Sequence, residues 1–276
     1  MYNIKIRLII IINNMLSILN LVICSDNDNE KYNEMYNCLR NFYLNFEKHK
    51  NVFVKTYFLK FTEDIDNYKL EDNILYIKGK ESFVPGIIEK TLKGFQYFSD
   101  QINNYQYIIR SNLSTIIDFE YLAKELDTNP IHFYGGGHKR NLQWTGGGIN
   151  DSTWFGTDYI EGTSIIFTPK SIKYIIDNIG LVRTNIIDDV SIAIFMREHA
   201  TNEKVQNIHE SRYAIVPCFV MNNRICVDRI KDMVLNNNFI FYRNKCCNYR
   251  EIDSIQMNII KDIIIEREIL NKNLIS

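Results

Sequence analysis

Four prolines in 276 residues leave little room for a rigid linker, so one domain spanning 1–276 is expected rather than two modules. Charge of one sign is also missing. Thirty-two Lys+Arg stand against 33 Asp+Glu, a formal net charge of −1, and this excludes the broad field that gathers nucleic acid or anionic lipid. The six cysteines, at 24, 38, 218, 226, 246 and 247, contain no CxxC pair and no zinc-ligand spacing. Adjacent Cys246 and Cys247 diverge from the approach a disulfide needs, so reduced thiols and a cytoplasmic location are expected. No uncharged run is long and clean enough to span a bilayer. The nearest, Leu8 to Ser25 behind Lys5 and Arg7, is interrupted by Asn13, Asn14 and Asn20 and falls short of the ~20 apolar residues required. A buried strand is the favoured reading, with a membrane anchor through residues 8–25 as the alternative. Phosphate loops are absent too: neither GxGxxG nor a terminal Gly-Lys-Ser/Thr occurs among the glycines.

What is present is a core. Hydrophobic residues make up 46% of the chain and aromatics 13%, too much for a disordered protein. The short run Ile18 to Cys24 reads as a strand and precedes the turn chemistry of Ser25-Asp-Asn-Asp-Asn29. Apolar residues at 32, 35, 36, 39, 42, 43 and 46 then mark one face of a helix. Val52 to Phe58 and Ile74 to Ile77 read as strands, Val84 to Phe98 as a helix with Pro85 in its first turn, and Tyr105 to Arg110 as a further strand. Asp118 or its neighbour opens the helix that carries Phe119, Leu122 and Leu126.

The glycine-rich stretch from Tyr134 to Trp154 is expected to be a mobile, substrate-lining loop. Beyond it lie a strand at 162–168, a helix from Pro169 to about Asn178, a helix after Ile186, and a long closing helix from about Ile252 to Leu270. The alternation defines an α/β fold with a Rossmann-like mixed, mostly parallel sheet flanked by helices. Ligands of such sheets bind beyond the carboxyl ends of the strands, which puts Arg110 to Thr115 where chemistry is expected.

Four segments, taken in order, resemble the GT-A glycosyltransferases of the beta-1,3-galactosyltransferase, N-acetylglucosaminyltransferase and Fringe group. They are Glu89-Lys-Thr91 with the following strand Tyr107 to Arg110; Arg110-Ser-Asn-Leu-Ser114; Tyr159-Ile-Glu-Gly-Thr-Ser-Ile-Ile-Phe-Thr-Pro169; and Ile187-Asp-Asp-Val190. The resemblance covers roughly residues 18 to 200 and implies a GT-A fold. It also implies transfer of a hexose or N-acetylhexosamine from a nucleotide sugar, UDP-linked and with inversion, to a glycan or protein hydroxyl. There are two departures. Ala193 stands where the family has glycine, and Asn112 and Ser114 occupy the two ligand positions of the family's metal-binding Asp-Asp-Asp motif.

The resemblance makes Asp189 the catalytic base and Asp188 its orienting partner; the alternative is that both simply cap their helix. Asn112 and Ser114 are weak ligands for Mn2+ or Mg2+, so no metal is required, although either ion remains possible. Arg243 and Lys245 alternate along a short extended run and, with Arg110, are candidates to meet the donor diphosphate; Arg250 is a further basic residue nearby. Residues 200–276 then form a C-terminal extension completing the donor site. Asp26 and Asp28 stand where GT-A enzymes hold the base and ribose, the alternative being Asx turns. Trp144, Trp154 and Gly162 are candidates for the acceptor side, where an indole stacks on a sugar ring. The five histidines show no ligand spacing. A non-catalytic carbohydrate- or protein-binding module on the same fold is the competing reading, motivated by the missing acids.

Overall fold

The computed structural model describes residues 15–24, 30–46, 48–49, 52–221, 224–246 and 250–273. In chain order the strands are β1 (Leu16–Ile23), β2 (Lys48–His49), β3 (Val52–Thr62), β4 (Tyr68–Glu71), β5 (Ile74–Lys78), β6 (Tyr107–Asn112), β7 (Thr115–Ile117) and β8 (Tyr134–Gly136). They continue with β9 (Lys139–Asn141), β10 (Asp158–Ile160), β11 (Ile165–Phe167), β12 (Gln206–Asn207), β13 (Tyr213–Val216), β14 (Val220–Met221), β15 (Arg224–Ile225) and β16 (Phe241–Asn244). The α-helices are α1 (Glu30–Asn45), α2 (Gly86–Tyr97), α3 (Phe119–Thr128), α4 (Pro169–Asp177), α5 (Asp188–His199), α6 (Val227–Leu235) and α7 (Arg250–Asn273).

Among the described residues, nine strands form one sheet in the order β12-β8-β11-β6-β1-β3-β5-β4, with β2 paired to β3 off that path. The four central strands β6, β1, β3 and β5 are mutually parallel, and antiparallel strands flank them. This is the mixed, mostly parallel α/β sheet expected from the alternation. β1 is apolar apart from Ser17 and Asn20 because helices cover both of its faces. Ile18 and Val22 enter one core cluster with residues of α1 and α7, whereas Leu19 and Leu21 enter another with residues of α2, α4 and α5.

Asn20, one of the amides that spoil a membrane span, sits fully buried in the middle of β1. Its amide donates to Thr56 Oγ1 at 3.3 Å, and its Oδ1 accepts from Ser111 Oγ at 3.3 Å. The polar residue is therefore satisfied across both neighbouring strands. No helix among the described residues is long and apolar enough to cross a membrane. Residues 8–14 and Ser25, the rest of the uncharged run, lie outside the described residues. The remaining cysteines carry no disulfide among those described, and Cys247 lies outside them.

Local chemistry sets the helix starts. Asp118 is the N-cap of α3, accepting from the Tyr121 N–H at 3.1 Å, and its other oxygen is ion-paired to Arg267 of α7. Thr168 caps α4 in a reciprocal arrangement with Ser171. Thr168→Ala is expected to lower stability by about 1 kcal/mol, read as a shifted urea midpoint with unchanged slope.

Two local expectations are corrected. Pro85 is the N-cap residue of α2 rather than part of its first turn. The first glycine triplet is not a loop: Gly135 and Gly136 belong to β8 inside the main sheet. A Cβ on Gly135 would stand 2.3 Å from the Gln206 carbonyl of β12, and one on Gly137 would meet the Phe241 ring at 2.4 Å. Glycine is required there by close backbone approach.

A smaller sheet, β13-β16-β7, completes the molecule. β16 runs antiparallel to β7, with Arg243 opposite Thr115, and parallel to β13. α7 packs against α1 and β16, so residues from the two ends of the described chain share one core.

Candidate active site

A cavity of about 760 Å³ opens at the carboxyl ends of β1 and β6. Ile23 and Cys24 line it at the end of β1, Tyr32 at the start of α1, Asp188 and Asp189 at the start of α5, and Arg243 and Lys245 at the end of β16.

The second glycine triplet positions the acidic pair. Gly147 and Gly148 have φ of +54° and +87°, and a Cβ on Gly148 would lie 1.9 Å from the Asn185 carbonyl. The Ile187 N–H donates to the Gly147 carbonyl at 2.7 Å, so the glycines seat the segment that delivers Asp188. Ile187, not an aspartate, is the N-cap of α5.

Asp188 is buried and ion-paired with Arg110 of β6, which is itself only 3% exposed. Asp189 turns one oxygen to the Val190 N–H at 2.8 Å and the other to the Gly162 N–H at 3.0 Å. Arg110 also donates to the Gly162 carbonyl. Arg110, Gly162, Asp189 and Asp188 thus close a ring that fixes both carboxylates. Burial, and then the neighbouring Asp188 charge, push the Asp189 carboxyl up to about 7. Burial also raises Asp188, opposed by Arg110. Arg110 was expected on the diphosphate. It lines the cavity, yet its charge is already met by Asp188, because β6 aims it at the N-terminus of α5.

The cationic side is assembled across sheets. The β7–β16 ladder brings Arg243 over the segment 112–114, where its Nη1 donates to Asn112 Oδ1 at 2.9 Å and also to Ser114 Oγ. Asn112 Oδ1 further accepts from the Ser114 N–H and from Thr115 Oγ1, both at 3.2 Å. Burial and the nearby Arg250 hold the Arg243 guanidinium below its usual pKa. Arg250 reaches the cavity while its Nη1 bonds Asp253 at 2.7 Å.

Trp144 also lines the cavity, its indole N–H directed at the Tyr159 hydroxyl at 3.4 Å. Trp154 does not. It packs beside Ile149, Ile186 and Val190 in a separate cluster, with the Arg183 guanidinium 4.5 Å over its ring. Trp154, expected on the acceptor side, is not among the residues that line the cavity: the indole packs instead with the cluster that includes Val190, Ala193 and Ile194 of α5. Asp26 and Asp28 lie outside the described residues.

Several cavity residues were not singled out from the sequence. Lys90 is buried, paired with Glu81, and donates to the Cys24 carbonyl at the end of β1. Its signal was a lysine on the inward face set by Ile88, Leu92 and Phe95. Glu161 and Arg140, which face each other across β9 and the segment after β10, left no local signal.

No protein-family model matches the sequence, and no curated protein does. Two solved structures are similar at 10% identity each. One is a crystal structure of a glycosyltransferase involved in the glycosylation of the major capsid of PBCV-1, matched at a TM-score of 0.44 over 87% of this chain and 98% of that one. The other is mouse xyloside xylosyltransferase 1 in its apo form, at 0.39 over 84% and 98%. Likeness at that level says nothing of activity, and the functional reading stands on the cavity itself.

Proposed function

We propose that this chain is a GT-A-type glycosyltransferase. It moves a hexose or N-acetylhexosamine from a UDP-linked donor to a glycan or protein hydroxyl, with inversion and without a divalent cation. One observation carries the reading. A single cavity holds a half-buried carboxylate at one side and, at the other, a half-buried guanidinium whose hydrogen bonds go to neutral groups. A partly desolvated cation hydrogen-bonded to neutral groups favours an anion beside it, and a carboxylate that titrates near neutrality suits proton transfer. The identity of the sugar and of the nucleotide comes from the family resemblance alone.

In this mechanism Asp189 takes the proton of the acceptor hydroxyl as that oxygen bonds to the anomeric carbon. The bond from that carbon to the diphosphate oxygen breaks, and the charge left on the oxygen is met by Arg243 and Lys245. The metal that the family resemblance implies does not fit the residues in its place. Asn112 Oδ1 and Ser114 Oγ are neutral, and both already accept from Arg243. Transfer from UDP-galactose or UDP-N-acetylglucosamine, followed as release of UDP, should therefore change by less than about twofold when EDTA is added. Loss of activity on chelation with rescue by Mn2+ would show that another carboxylate binds metal and would end the cation-only account.

A further inference from the structure

Glu161 stands between the two halves of the proposed chemistry and is used by neither. It precedes Gly162, whose N–H holds Asp189. Its Oε2 accepts from the Tyr213 hydroxyl at 3.2 Å, and Tyr213 lies on β13, whose Ile215 is paired with Arg243. Its Oε1 accepts from Arg140 Nη1 at 2.8 Å, with His138 Nε2 4.0 Å away.

The support behind the carboxylate is rigid. Tyr213 is buried, its hydroxyl also meets Thr163 Oγ1 at 2.7 Å, and its ring stacks on His138 at 4.7 Å. The Glu161 N–H is tied to the His138 carbonyl at 2.9 Å, and the Thr163 and Ser164 N–H groups both return to the Glu161 carbonyl. A carboxylate held by two donors, on a backbone tied at both its N–H and its carbonyl, and still lining the cavity, has a defined aim.

Each carboxylate oxygen has taken one donor from the protein and keeps acceptor capacity for one more. Such a group accepts from O–H donors and, itself acceptor-only, offers a phosphate oxygen no proton. In the reaction proposed above, the atoms that lie between the base and the leaving diphosphate are those of the transferred sugar.

We infer that Glu161 reads a pair of neighbouring hydroxyls on the donor sugar, with Tyr213 and Arg140 holding its two oxygens for that purpose. This rests on the transferase reading and deepens it: the nucleoside diphosphate is gripped by the cations, and discrimination between sugars falls to Glu161. A hydroxyl bonded to a charged acceptor that is lost to an amide should cost roughly 10- to 100-fold in affinity.

The test is a titration of the full chain with UDP, UDP-galactose and UDP-N-acetylglucosamine, followed by tryptophan fluorescence. In Glu161→Gln, UDP affinity should stay within about twofold, while the sugar nucleotide that binds wild type more tightly should weaken roughly 10- to 100-fold. Tyr213→Phe removes only the hydroxyl that steadies Glu161. It should shift the same ratio of sugar-nucleotide to UDP affinity in the same direction by a smaller factor, and it stands as the second variant if Glu161→Gln does not fold. An unchanged ratio in folded variants would overturn the inference and leave the transferase reading standing. A change confined to the KM of the acceptor would overturn it equally, placing Glu161 on the other substrate. Failure of wild type to bind UDP or either sugar nucleotide would remove the transferase reading and this inference with it.

Discussion

Asp189→Asn is expected to lower transfer by about 10²- to 10⁴-fold while donor affinity stays within about twofold, because the change removes the base and leaves the cationic grip intact. The substitution is nearly isosteric. The amide oxygen still accepts from Gly162 or Val190, and the protein should fold with its ring of contacts largely kept. The pH profile gives an independent reading. With its carboxyl pushed up to about 7, Asp189 is protonated below that pH and cannot take a proton. Turnover of the wild type should therefore climb as pH rises through about 7 and level off above it. The variant's residual rate should lack that step. Wild-type turnover in the variant would mean that Asp189 only braces the start of α5, and the acid–base assignment would fall.

Replacing both Arg243 and Lys245 with Ala should cut the rate by roughly 10²- to 10³-fold, the scale seen when one preorganised donor is taken from a developing negative charge. Stability should respond far less, by about 1 kcal/mol. The reason lies in what remains after the guanidinium has gone. Asn112 Oδ1 keeps its bonds from the Ser114 N–H and Thr115 Oγ1, so no buried acceptor is orphaned. A half-buried cation whose hydrogen bonds go to neutral groups has also been removed, which recovers part of its desolvation. Single-turnover rates paired with urea unfolding separate the two effects. Equal losses in both would mean that Arg243 is a structural bracket, and unchanged turnover would leave the leaving group without its proposed partner.

What the chain disclosed by itself was what short-range physics controls. β1 was visible because a strand covered on both faces is mostly apolar, and α3 because Asp118 announces its cap. The acidic pair at the start of α5 was visible as two adjacent carboxylates in front of an apolar helix. The two glycine triplets read alike as loop, but only one is: Gly135 and Gly136 lie in a strand thinned so that β12 can approach, whereas Gly146 to Gly148 form a turn against Asn185. Identical composition serves two geometries, and only the neighbours distinguish them. Trp144 and Trp154 offer the same stacking surface in sequence, yet Trp144 lines the cavity and Trp154 packs against the cluster of Ile186, Val190 and Ala193. Arg110 was legible as a candidate cation for the diphosphate but not as the buried partner of Asp188, which lies far along the chain. Glu161 and Lys90 were hidden for the same reason, since their contacts are set by how strands are ordered and not by their own surroundings in sequence.

The contact between Asn112 and Arg243 spans 131 residues and is made by the last strand of the described chain. That separation sets a schedule. A nascent chain that has emerged as far as Asn238 already contains the whole nine-stranded sheet and both carboxylates of α5, but not the guanidinium. Loop closure over such a length is slow compared with forming a helix or a hairpin, and it waits on β16 pairing with β7 and on α7 settling against α1. Under the proposed chemistry, catalytic competence therefore waits on residues 241–245: a chain that has emerged only as far as Asn238 carries the base without the guanidinium that is to stand opposite it.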